Sequence, residues 1–199
     1  MNVQNLYRAV MILGRSMEDI KGYGWICGTI GDHIGGPKCA NGILTVSAGV
    51  SHHKRPLYIY SDEVPLEMRE PLVVAAHALI QNAPAEVLAE FPLISTIPPR
   101  EWHSLVKLGD QLVNINDAAV PTEEHDEDGE AIYRKILNRE LAYAWFERAF
   151  DKLAEQLPEP IPAEPPLTVQ DIVRTPADFS EAEKRIRAEK REHALAGRS

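Results

Sequence analysis

Between Gly22 and Leu44 the chain carries seven of its twelve glycines, both of its cysteines (Cys27 and Cys39) and Trp25, and this island limits the fold more than any other stretch. Glycine at that density weakens helix and strand interiors and favours turns. Trp25 to Ile30 reads as a short strand, and Asp32 to Pro37 has the composition of a turn. From Cys39 the chain returns, with Ala40 to Ala48 inclining towards helix. The expectation is a small β-hairpin-like element near residues 25–44 set in a mainly α (α+β) domain.

The flanking segments have helical periodicity. In 3–20, Leu6, Val10, Leu13, Met17 and Ile20 recur at steps of three and four, which gives one apolar stripe. Gly22 and Gly24 then end the helix cheaply. Residues 50–65 read as an extended connection. A second helix is predicted over 66–82, with its regular part starting near Pro71, since proline is tolerated only in a first turn. A short helix after Pro84 runs to Phe91. Another covers about 100–116, with Trp102, Leu105, Val106, Leu108, Leu112 and Val113 as its apolar set. Residues 117–129 read as a solvated acidic loop. The longest helix is expected over 130–157, where Ile132, Ile136, Tyr143, Phe146, Phe150, Leu153 and Leu157 form one stripe and Tyr133, Leu137, Leu141 and Trp145 a second.

Five prolines in residues 158–166 predict a stiff linker between a helical domain (1–157) and a charged, partly helical arm (167–199). Ser180 to Glu183 resembles a capping box for a last helix whose large apolar groups are only Ile186 and Leu195. Such a helix has no face with which to build a core.

Net charge is −9, of which residues 1–157 hold −8. Six acids fall in one run: Glu123, Glu124, Asp126, Glu127, Asp128 and Glu130. That sign disfavours direct binding to nucleic acid. No apolar run approaches the roughly 20 residues needed to cross a bilayer, and the first residues lack the features of a secretory signal. A cytoplasmic location is the expectation, the host-cell cytoplasm or a virion if the source is a phage, with both thiols reduced.

Candidate chemistry is sparse. Cys27, His33 and Cys39, with His52 or His53 as a fourth ligand, are the residue types that zinc prefers. Their spacing is not that of a zinc knuckle, and two packed thiols beside an exposed turn histidine are the plainer account. Either cysteine as nucleophile would need an oriented base. The acidic run fails as a calcium loop, because Lys135 falls where the bidentate glutamate belongs. Gly31 to Lys38 lacks phosphate-loop spacing. His77 reads as a satisfied histidine at the edge of the core.

Gly24-Trp25, then Cys39-Ala-Asn-Gly-Ile-Leu44, then Asn116-Asp117 together resemble a family of small proteins from actinobacteria and their phages with a G-W…C-x-x-G-A-L…W-N-D pattern and no established function. Ile43 replaces the family's alanine and Ile115 its tryptophan, and here the acidic segment 118–129 precedes the next helix. The resemblance spans about residues 6–150 and implies Trp25, Cys39, Asn116 and Asp117 as shared features, in packing and capping roles.

Two functional classes follow. The favoured one is a non-enzymatic interaction or structural accessory protein, engaging a protein partner or itself through the arm. Its contact residues are Arg185, Ile186, Arg187, Arg191 and Leu195, with no cofactor, no direct nucleic acid and no membrane. The alternative is a small metal-binding module or metal-dependent enzyme built on Cys27, His33 and Cys39.

Overall fold

The computed structural model describes residues 2–53, 55–92 and 104–158. Over these the protein is mainly helical with one small antiparallel sheet. The elements are α1 (Val3–Tyr23), α2 (Ala40–Ser47), α3 (Leu66–Gln81), α4 (Ala85–Glu90), α5 (Leu105–Asp117), β1 (Ala119–His125), β2 (Ala131–Lys135) and α6 (Arg139–Ala154). No helix among the described residues is long and apolar enough to cross a membrane.

Helix α1 starts at Asn2, whose side chain accepts the Gln4 N–H at 2.9 Å, and ends at Gly24 with φ +90°. Its expected stripe is buried at Leu6, Val10, Leu13 and Ile20. Ala9, Ile12 and Ser16 are buried as well, so α1 packs on more than one side: against α6, α3 and α2. Arg139, at the start of α6, donates to the carbonyls of Ile20, which also accepts the Gly24 N–H, and Lys21 in the last turn of α1. Further along, Gly14 faces the Phe150 ring, so α1 and α6 run antiparallel.

Pro71 lies inside α3, which begins five residues earlier than its proline suggests. The missing N–H leaves the Glu67 carbonyl without its helical donor. Arg8 Nη1 donates to that oxygen at 3.4 Å instead. A side chain from α1 thus repairs a defect in α3.

The aromatic core lies beneath α6. Trp145 and Phe146 are fully buried, and the Trp145 indole N–H donates to Leu79 O at 2.7 Å. Trp25 meets both rings edge-on, at centroid distances of 6.3 and 5.9 Å.

The sheet is not in the glycine-rich island. Between 25 and 44 only Trp25 and Lys38 form a bridge, through Ile26 N donating to Lys38 O at 3.3 Å, and the return from Cys39 is the helix α2. The hairpin is made by β1 and β2 instead, at 119–135. The acidic segment expected as loop is therefore largely strand, and α6 starts at Arg139, nine residues later than its apolar spacing suggests. Gly129, at φ +81°, and Asp126 form the turn. Asn138, whose Oδ1 accepts the Leu141 N–H at 2.9 Å, is the true N-cap.

Candidate functional site

Helix α2 is the pivot of the island. Seven of its eight residues are buried, including Asn41 and Thr45. A buried polar side chain is costly unless bonded, and each of these is. Asn41 donates to Gly109 O at 3.1 Å and accepts from Ile59 N at 3.5 Å. Thr45 Oγ1 donates to Leu57 O at 2.8 Å. These bonds fasten α2 to α5 and to the 50–65 connection. Gly42 has to be glycine, because a Cβ there would lie 2.4 Å from Ile30 O.

Asn116 and Asp117, at the end of α5, close the island from the other side. Asn116 Oδ1 accepts the Ala40 N–H at 3.2 Å, and its Nδ2 donates to Ile26 O at 3.4 Å and to Asp117 Oδ1 at 2.6 Å. Asp117 Oδ1 also accepts from Gly28 N at 2.6 Å. The resemblance's Trp25, Cys39, Asn116 and Asp117 thus all lie at the same packed island.

Lys38 is the feature the sequence did not reveal. Its ammonium is fully buried, 3.6 Å from Asp19 Oδ2, donating to Gly36 O at 2.8 Å and lying 4.8 Å from the centroid of the Tyr23 ring. Loss of solvent pushes the Lys38 pKa below that of an ordinary lysine, and Asp19 offsets this only in part. The same desolvation raises Asp19 above the ordinary carboxylate value, against the pull of Lys38. The pair staples the glycine-rich loop to the last turns of α1.

Neither thiol is activated. Burial pushes Cys39 up to about 11, outweighing the backbone N–H groups of Asn41 and Gly42 at the start of α2. Cys27 is half-buried and also raised, first by desolvation, and its thiol lies 3.7 Å from the Leu137 carbonyl it faces. A nucleophilic or metal-binding cysteine needs the thiolate. His33 lies against Gly36, and His52 pairs with Glu63 at 2.5 Å. Among the described residues no group of three or more His, Cys, Asp or Glu side chains is placed to hold a metal. Cys27, His33 and Cys39 are therefore not brought together as a ligand set. His77 is half-buried, and desolvation lowers its pKa.

The outward-facing feature is the hairpin. Asp126 Oδ1 accepts from Asp128 N at 3.0 Å and Glu130 N at 2.9 Å, ordering the tip, and the six acids of the run are exposed. Ile132 and Tyr133 are 40% and 65% exposed. Lys135 Nζ donates to Asp117 O at 2.9 Å and Ile136 N to Ala118 O at 2.9 Å, tying the base of the ribbon to α5. The predicted contact residues Arg185, Ile186, Arg187, Arg191 and Leu195, like the linker after Pro158, lie outside the described residues. Compared with protein-family models, with curated proteins and with solved structures, the chain has no match.

Proposed function

We propose that this is a non-enzymatic interaction protein, with the helical domain as a scaffold and the C-terminal arm engaging a protein partner or another copy of the chain. The observation that supports this reading is where the polar chemistry is used. Asn41, Thr45, Asn116, Asp117 and Lys38 all bond to the chain's own backbone within the domain, and neither thiol is activated. Among what the domain turns outward is an acidic ribbon that carries two unpacked apolar side chains, Ile132 and Tyr133. Inward polar groups hold a fold, and outward apolar groups framed by charge are what a partner meets.

Arg185, Arg187 and Arg191 would face acids on the partner, with Ile186 and Leu195 as apolar anchors. A helix of about 16 residues is only marginally formed alone in water and gains order on a complementary surface. The acidic domain disfavours nucleic acid as the direct ligand. If the actinobacterial and phage resemblance holds, a virion component or an inhibitor of a host protein fits this role.

The test compares the full chain with a variant ending at residue 157 and with the double substitution Ile186→Ser, Leu195→Ser. Light scattering and affinity recovery from source cells should both show weaker association, while circular dichroism shows the domain still folded. Unchanged assembly together with unchanged recovery would remove the arm from the interface.

A further inference from the structure

The two outer edges of the hairpin differ. In an antiparallel pair, successive residues direct their backbone N–H and C=O alternately at the partner strand and away from it. Ile136 bonds to Ala118 at the base, and Asp126 N donates to Glu130 O at the tip. Alternation from either end gives the same answer for β2: Ile132 and Arg134 turn their backbone towards β1, and Ala131, Tyr133 and Lys135 turn theirs outward. On β1 the outward positions include Pro121, opposite Tyr133, which has no N–H to offer. Just beyond it β1 has three residues between Pro121 and His125 where β2 has one between Tyr133 and Ala131, so that edge is also bulged. Proline and a bulge are the usual means of closing an edge to further strands. β2 has neither. It is regular, Ile132 through Lys135 are exposed, and among the described residues no strand covers its outer side.

We propose that this open edge pairs antiparallel with β2 of a second copy about a two-fold axis, joining two hairpins into one four-stranded sheet. β2 with the residue before it is complementary to itself: the segment reads Glu130-Ala-Ile-Tyr-Arg-Lys135, an acid just ahead of the strand and bases at its far end. A two-fold axis between facing Ile132 residues sets Arg134 opposite Glu130 of the second copy, twice. In that register Ala131 and Tyr133 exchange backbone hydrogen bonds with Tyr133 and Ala131 of the second copy. Centring the pair on Tyr133 forfeits both ion pairs, and centring it on Arg134 sets two guanidinium groups face to face. Opposite charges across a sheet stabilise and like charges destabilise, so the charges select the Ile132-centred register. The interface is isologous and closed, and it does not propagate into a fibre, because the far edge of each hairpin is blocked by Pro121 and the bulge.

This pairing is independent of the arm, and the test separates the two. The full chain is followed by sedimentation velocity over a concentration series, beside Ala131→Pro, Glu130→Lys, Arg134→Glu and the double reversal Glu130→Lys/Arg134→Glu. The backbone of position 131 faces away from β1, so proline there spares the hairpin's own bonds and removes two of those between copies. The expected result is a dimer weakened about tenfold or more by Ala131→Pro, weakened by each single charge reversal, and recovered in the double reversal. A full chain that stays monomeric throughout overturns the proposal. So does a dimer indifferent to Ala131→Pro and to the charge reversals, which would place self-association elsewhere, on the arm or on another surface.

Discussion

The side-chain oxygen of Asn116 accepts the backbone N–H of Ala40 at 3.2 Å. Ala40 is the first residue of α2, and Cys39, at the N-cap position, contributes no side-chain capping bond. A residue 76 positions away in sequence thus caps α2, and the same side chain also holds Ile26 O and Asp117.

Asn116→Leu should therefore destabilise the domain by about 2–4 kcal/mol, since three bonds are lost and the buried Ala40 N–H and half-buried Ile26 carbonyl are left without this partner. Urea unfolding monitored by tryptophan fluorescence checks this. A loss under 1 kcal/mol would show that water takes over these bonds.

Gly42→Ala reverses the usual rule. Alanine inside a helix is ordinarily better than glycine by roughly 1 kcal/mol. Here the new methyl would meet Ile30 O at 2.4 Å, so the variant should lose about 1–3 kcal/mol through overpacking. The sign of the change in urea midpoint decides it.

For Lys38 and Asp19 the order of effects matters more than their size. Lys38→Met alone leaves a largely buried carboxylate beside an apolar chain and should cost about 3–5 kcal/mol, whereas Lys38→Met with Asp19→Leu should be near neutral or stabilising. Desolvation is the largest cause of both shifts, which is why the pair adds little net stability. A double variant as unstable as the single one would contradict this.

Cys39 predicts a pH dependence. Its pKa is raised from 9.0 to about 11 in the folded state. The folded protein therefore holds this proton more tightly than the unfolded chain, so its stabilising effect is complete below pH 9 and is lost as pH rises through 11. At about 1.36 kcal/mol per pH unit, roughly 2–3 kcal/mol should disappear across that window. Urea titrations at pH 8 and pH 11 should show that part of the loss in the native protein and not in Cys39→Ala.

Much of the helical architecture was legible along the chain. Leu6, Val10, Leu13 and Ile20 are buried as their spacing predicts, as are Leu108 and Leu112 on α5 and Phe146 and Leu153 on α6. The place of the β element was not. Ile132 with Ile136 and Tyr133 with Leu137 satisfy a helical stripe, yet the first of each pair is exposed on β2 and the second lies beyond the strand. Spacing of three and four needs several turns to exclude a strand, and five residues do not supply them. Arg139, whose place at the start of α6 the apolar spacing does not indicate, donates to the last turn of α1.

What the sequence determined by itself is whatever depends on near neighbours: helical periodicity, the end of α1 at Gly24, and the excess of acid. Tertiary structure decided which polar residues go inside. Lys38, Asn41, Thr45 and Asn116 have nothing in their local sequence to mark them as buried. Their burial is tolerable only because carbonyls, amides or a carboxylate from distant segments meet them there: Asp19 for Lys38, Gly109 and Ile59 for Asn41, Leu57 for Thr45, Ala40 and Ile26 for Asn116. The cost of desolvating a polar group is set by the residue, but its compensation is set by what the fold brings within about 3 Å, and that distance does not exist until the chain has closed.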